Sequence, residues 1–188
     1  MKSKYIILFI VLMCFCTISF TYTDSSSGDE AYEKVMSVIT HKRCMNCHPQ
    51  GDHPFQGEDS HKHYFGVQRG PENHGVAGLK CSTCHSHENN LTSGVPGAPH
   101  WDLAPKSMGW VGLEKHEIAS KILNRETNGG KSLDEIVHHL TQDSLVLWAW
   151  NPGININGKE REKPPLSLEE FRKAVHDWAD AGAPIPKK

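Results

Sequence analysis

The chain has 188 residues, a formal net charge of −2 and a pI near 6.7, so it lacks the basic excess that a nucleic-acid surface needs. Its compositional outlier is histidine: 13 in all, nine of them between His41 and His100.

Lys2 and Lys4 precede an apolar run from Tyr5 to Phe20 that carries no charge. A basic start followed by a greasy core is the form of a secretory signal. The run is shorter than the roughly 20 residues that cross a bilayer comfortably, so the reading is a cleaved signal over 1–23 and a single domain over 24–188. Small residues around Thr21 and Thr23 support cleavage there. Cys14 and Cys16 lie inside the run and are read as signal-core residues. An uncleaved or lipid-linked anchor, holding the chain at a membrane surface, is the minor alternative. About 165 residues then remain, enough for one domain with a modest core. Four cysteines remain with them, at 44, 47, 81 and 84.

Ser27-Gly28-Asp29-Glu30 has the S-x-x-E form of a capping box. Tyr32, Val35, Met36 and Ile39 follow at helical spacing, which predicts an amphipathic helix. That helix runs into Cys44-Met45-Asn46-Cys47-His48, and the same pattern recurs as Cys81-Ser82-Thr83-Cys84-His85. Both are C-x-x-C-H, the attachment sequence of a c-type haem. Two thiols must reach two vinyl groups on one porphyrin edge, and two intervening residues set that separation. The next residue, His48 or His85, ligates iron from the proximal side. At this composition one chance match is expected roughly 0.01 times, and two far less often. The cofactor expectation is therefore two covalently bound haem c groups, with all four remaining cysteines committed to them.

From Pro49 to Gly112 no period of 3.6 or 2 persists. Ten of the 16 glycines and six of the 11 prolines lie between Cys44 and Gly112. Such a stretch argues against a compact interior unless a cofactor supplies one. Helical patterns resume at Leu113, Ile118, Ala119, Ile122 and Leu123, ending at Asn128-Gly129-Gly130. Ser132-Leu133-Asp134-Glu135 and Ser167-Leu168-Glu169-Glu170 open two more helices. Their stripes are Leu133, Ile136, Val137 and Leu140, then Phe171, Ala174, Val175 and Trp178. The run Leu145–Trp150 is apolar on every side and predicts a buried segment. The fold expectation is all-α, with cytochrome c-like helices and long irregular loops wrapping two haems.

Distal ligands decide what haem iron does, and His or Met are the residues to seek. Met108, His63 and His74 are the candidates. His41, His53, His61, His87 and His100 compete with them. Arg69, with Arg43 and Lys80, is a candidate partner for haem propionates, and Trp101 and Trp110 are candidates to wall a haem face.

The paired signatures resemble a dihaem cytochrome c. Residues 30–48 resemble its first helix and haem site, and residues 105–122, with Met108, its methionine-ligand loop and the helix that follows. A second resemblance is to small exported dihaem proteins described as an isoquinoline 1-oxidoreductase subunit. It rests on Cys47-His48-Pro49-Gln50-Gly51-Asp52, Val67-Gln68-Arg69-Gly70, Leu103-Ala104-Pro105 with Met108 and Trp110, and Asn128-Gly129-Gly130. These resemblances imply a periplasmic electron carrier acting between an oxidoreductase, such as a molybdenum hydroxylase, and a downstream acceptor. No molybdopterin site or iron–sulfur cysteine set is present, so the chain would be the electron-accepting partner alone. The second haem departs from the single-haem pocket and leaves open which iron Met108 would serve. The alternative expectation is a dihaem peroxidase or small haem reductase with one open iron site.

Overall fold

The computed structural model describes residues 25–187. The expected signal segment, 1–23, lies outside the described residues. Helix α1, Ser25–Ile39, starts before the expected Ser27 cap. It buries Ala31, Tyr32, Val35, Met36, Val38 and Ile39. A one-turn helix α2, Lys42–Met45, follows and carries the first cysteine of the first signature. The later helices are α3, Lys115–Leu123; α4, Leu133–Gln142; α5, Ser144–Leu147; and α6, Leu168–Asp180.

Local chemistry explains the boundaries. The two later expected boxes close reciprocally: the Ser132 and Ser167 hydroxyls accept from the Glu135 and Glu170 N–H groups, and those carboxylates accept from the serine N–H groups. Helix α3 uses a box without a Ser or Thr, with the Glu117 carboxylate accepting from the Glu114 N–H at 2.8 Å. The Asp143 carboxylate caps α5 through the N–H groups of Leu145 and Val146. Helix α6 ends where the Ala183 N–H returns to the Trp178 carbonyl at 2.8 Å, with Gly182 in the left-handed region.

Helix α1 packs mainly on α6, which also packs on α4. Phe171, Ala174, Val175 and Trp178 of α6 meet the α1 stripe, and Ile118, Ala119, Ile122, Ile136 and Leu140 close the same cluster. The Trp178 indole N–H donates to the Pro184 carbonyl at 2.9 Å, so the large ring is buried without an orphaned donor. The run Leu145–Trp150 is only partly covered; Ala149 alone is fully buried.

The all-α expectation is overturned. Only about 40% of the described residues are helical, most of the rest are loop, and among them four strands form two small antiparallel hairpins. Strands β1, Phe55–Gln56, and β2, His61–Lys62, pair with Phe55 opposite Lys62. Strands β3, Gly75–Val76, and β4, Leu79–Lys80, pair with Val76 opposite Leu79. Ile154 and Glu160 add an isolated bridge. Two-residue strands are too short to express an alternating pattern, so hydrophobic periodicity carries no trace of them. Their signal lies in the turns, as at Gly78, where φ is 84°.

The segment from Pro49 to Asp102 contributes no residue to the hydrophobic cluster. Among the described residues no helix is long and apolar enough to cross a membrane.

Phe171→Ala should lower unfolding free energy by about 3–5 kcal/mol, because it opens a cavity between α1 and α6. Ser167→Ala should cost about 1 kcal/mol through the cap alone. Denaturant unfolding followed by far-ultraviolet circular dichroism measures both.

Candidate functional site

The two signatures fold alike. In the first, the Cys47 N–H donates to the Cys44 carbonyl and the His48 N–H to the Met45 carbonyl, both at 3.1 Å. In the second, a 3₁₀ turn over Cys81–Thr83 is closed by the Cys84 and His85 N–H groups, which both donate to the Cys81 carbonyl, at 3.2 and 3.0 Å. Residues three apart on such a turn share a side, so each motif offers two unbridged thiols along one edge.

Each histidine is held by the same pair of contacts. The His48 Nδ1–H donates to the Met108 carbonyl at 2.7 Å, and the His85 Nδ1–H donates to the Pro96 carbonyl at 2.7 Å. A carbonyl can only accept, so the proton sits on Nδ1 and the lone pair on Nε2. Trp110 stacks on His48 with centroids 3.4 Å apart and planes 9° apart. Trp101 stacks on His85 at 4.5 Å and 8°. Trp101 in turn meets Trp148 edge to face, and the Trp148 indole donates to the Asn89 side chain at 2.9 Å.

A glycine follows each carbonyl acceptor. A Cβ at Gly109 would meet the Gln50 Cα at 2.7 Å, and one at Gly97 would meet the Glu88 carbonyl at 2.2 Å. Both acceptor loops therefore press against the backbone just after the histidine. Sequence reasoning missed Pro96, Gly97, Gly109 and Asn89. The trace it could have used is a glycine beside a tryptophan-bearing loop, once for each motif.

Burial sets the electrostatics. Loss of water, with a contribution from Cys47, pushes the Cys44 thiol up to about 12. Cys47 rises to about 11, first by burial, then by Asp102 and Cys81. Burial takes His48 down to about 3 against the opposing pull of the Met108 carbonyl, and it lowers His85 against that of Pro96. Both imidazoles are neutral at neutral pH, the form that ligates a metal.

Among the distal candidates, His63 follows β2 and its ring lies 6.0 Å from that of His85, with planes 72° apart. Its Nδ1–H donates to the Tyr64 carbonyl at 2.9 Å. His74 is exposed, with Nδ1 3.2 Å from the Asp102 carboxylate. Met108 is buried in the helical cluster and meets His48 through its main-chain carbonyl rather than its sulfur. That carbonyl stands at the Nδ1 end of the ring. Of the competitors, His41 and His61 have both ring nitrogens engaged, His41 with the Arg43 N–H and Glu162, His61 with Asp59 and Gln56.

Arg69 is buried and serves the backbone. Its two terminal nitrogens donate to the carbonyls of Pro49, Gly51 and Ala104 and to the Asn73 side chain. It thereby ties the end of the first motif to the loop that carries Met108. Arg43 is likewise committed, to Glu58 and to the Glu162 carbonyl.

Among the described residues no three His, Cys, Asp or Glu side chains converge as a metal-binding group. Each motif offers one imidazole nitrogen and two thiols, which suits an iron that already has four porphyrin nitrogens. Among the described residues, three buried side-chain atoms lack a hydrogen-bond partner, Asn46 Oδ1, Arg69 Nε and Trp110 Nε1, although Arg69 Nε lies 4.0 Å from the Asp52 carboxylate, and all belong to or adjoin the first motif. The last two are donors and suit a carboxylate such as a propionate. Asn46 Oδ1, an acceptor, has no such use.

Arg69→Lys should cost about 1–3 kcal/mol, because a single ammonium cannot satisfy three carbonyls in a fork. Gly109→Ala should cost a comparable amount, about 1–3 kcal/mol, by forcing the Met108 loop off Gln50. Met108→Leu preserves the carbonyl bond to His48 and should cost less than about 1.5 kcal/mol. Denaturation midpoints rank the three. Comparison with protein-family models, curated proteins and solved structures finds no match to this chain.

Proposed function

We propose that the chain is an exported dihaem c-type cytochrome that relays electrons between a partner oxidoreductase and a downstream acceptor. One observation carries the reading. The construction is made twice: two thiols on one turn, an imidazole fixed with its proton on Nδ1, and a tryptophan stacked on that ring. A packing histidine has no need of that set, whereas a haem ligand has.

The residues then have defined work. Cys44 with Cys47, and Cys81 with Cys84, each add S and H across a vinyl double bond, forming a thioether and releasing nothing. His48 and His85 present Nε2 to iron, while the Met108 and Pro96 carbonyls hold their tautomers and raise their basicity. Haem supplies a reversible one-electron change at iron, tuned by ligands and burial. The Ala104 N–H donates to the Cys47 carbonyl, the Leu103 N–H to the Asn73 carbonyl and the Cys81 N–H to the His74 carbonyl, contacts that link the two motifs and support a short path between the two centres. Arg69 Nε and Trp110 Nε1 are the proposed propionate donors at the first centre. The resemblance to isoquinoline 1-oxidoreductase subunits favours a molybdenum hydroxylase as donor and the periplasm as location.

The test is production with an export and haem-attachment apparatus, followed by intact mass and the pyridine haemochrome spectrum. Two covalent haems per chain are expected, falling to one in the paired Cys81→Ala, Cys84→Ala variant. Ferric haems that are low-spin, and ferrous haems that do not bind carbon monoxide, support the relay. A high-spin centre that turns over peroxide would move the chain to the dihaem peroxidase or haem reductase class.

A further inference from the structure

The hairpin β1–β2 delivers one more imidazole to the second centre. The His63 main-chain N–H donates to the Pro54 carbonyl at 2.9 Å, which fixes the residue just past β2. Its ring is then oriented by the Nδ1–H bond to the Tyr64 carbonyl, as His85 is by Pro96. Both rings therefore carry the proton on Nδ1 and a lone pair on Nε2, and among the described residues neither Nε2 has a hydrogen-bond partner. An electrophile held between the two rings would engage both Nε2 atoms.

The spacing identifies the electrophile. Two imidazoles bonded through Nε2 to opposite faces of one metal, at about 2 Å each, have ring centroids about 6 Å apart. The observed separation is 6.0 Å. We propose that His63 is the axial partner of His85, so that the second haem is a six-coordinate bis-histidine centre with crossed imidazole planes. The proposal rests on the dihaem reading and adds a ligand to it. The 72° angle between the planes is imposed by two separate carbonyls, those of Tyr64 and Pro96, on different loops. His74 is the weaker rival, since its ring faces the Asp102 carboxylate and is largely exposed.

This ligation closes the second iron to small molecules and sets its potential below that of a histidine–methionine centre. The chain would then have one saturated, low-potential haem at His85 and a separately tuned haem at His48.

The test uses the haem-loaded protein, with haem content measured first by intact mass. Low-temperature electron paramagnetic resonance of the unmodified ferric protein should contain the strongly anisotropic low-spin signal of crossed imidazoles. His63→Gly should retain both haems, lose that signal, gain one high-spin centre and bind one carbon monoxide when reduced. Added imidazole should restore the low-spin spectrum. A wild-type spectrum without the crossed-ring signal overturns the proposal. So does a two-haem His63→Gly protein with unchanged spectra, or the same loss produced by His74→Gly instead. A chain that carries no covalent haem when produced with the attachment apparatus fails at the earlier, dihaem reading.

Discussion

The bond from each imidazole Nδ1–H to a main-chain carbonyl is the contact on which the middle of this chain depends. It fixes a proton, and by fixing it leaves the opposite nitrogen basic. It also pins a distant loop to the turn that bears the cysteines: Met108 to the first, Pro96 to the second. Trp110 and Trp101 then keep each ring from rotating out of that bond. A metal bond to a ring so held would cost little further entropy.

Around these two bonds the chain divides into two kinds of material. The helices share a closed apolar cluster in which Val35, Met36, Ile118, Val175 and Trp178 are almost wholly covered. The segment between the signatures has no such interior; its order comes from hairpins, buried arginine forks and glycines in the left-handed region. Arg69 shows how the two halves are joined. One guanidinium gathers carbonyls from Pro49, Gly51 and Ala104, chain positions more than 50 residues apart at their extremes. Tyr64 and Phe65, 62% and 84% exposed beside His63, are the residues a cofactor interior would be expected to use.

The helices were legible because caps and apolar stripes are local. Ser132 with Glu135 and Ser167 with Glu170 can be read from four residues each, and Phe171 through Trp178 from their spacing. The two C-x-x-C-H patterns are readable for the same reason, since each spans only five residues. What escaped was non-local or too short to have a period. The hairpins at Phe55–Lys62 and Gly75–Lys80 have two-residue strands, so an all-α reading followed from the long stripes alone. The Met108 carbonyl that holds His48 is a group every residue possesses, so no side-chain argument can single it out. His63 is a distal candidate on sequence alone, but only folding brings its ring beside His85.

The two histidine–carbonyl bonds span very different lengths of chain, 60 residues for His48 and 11 for His85. Closing the longer loop costs about 1.5 kcal/mol more in chain entropy. The second site can thus assemble from its own neighbourhood while the polypeptide is still emerging, whereas the first must wait until Met108 has been made. Order of synthesis runs one way and order of ring fixation the other. The centre encoded later in the chain is the one whose imidazole is positioned sooner.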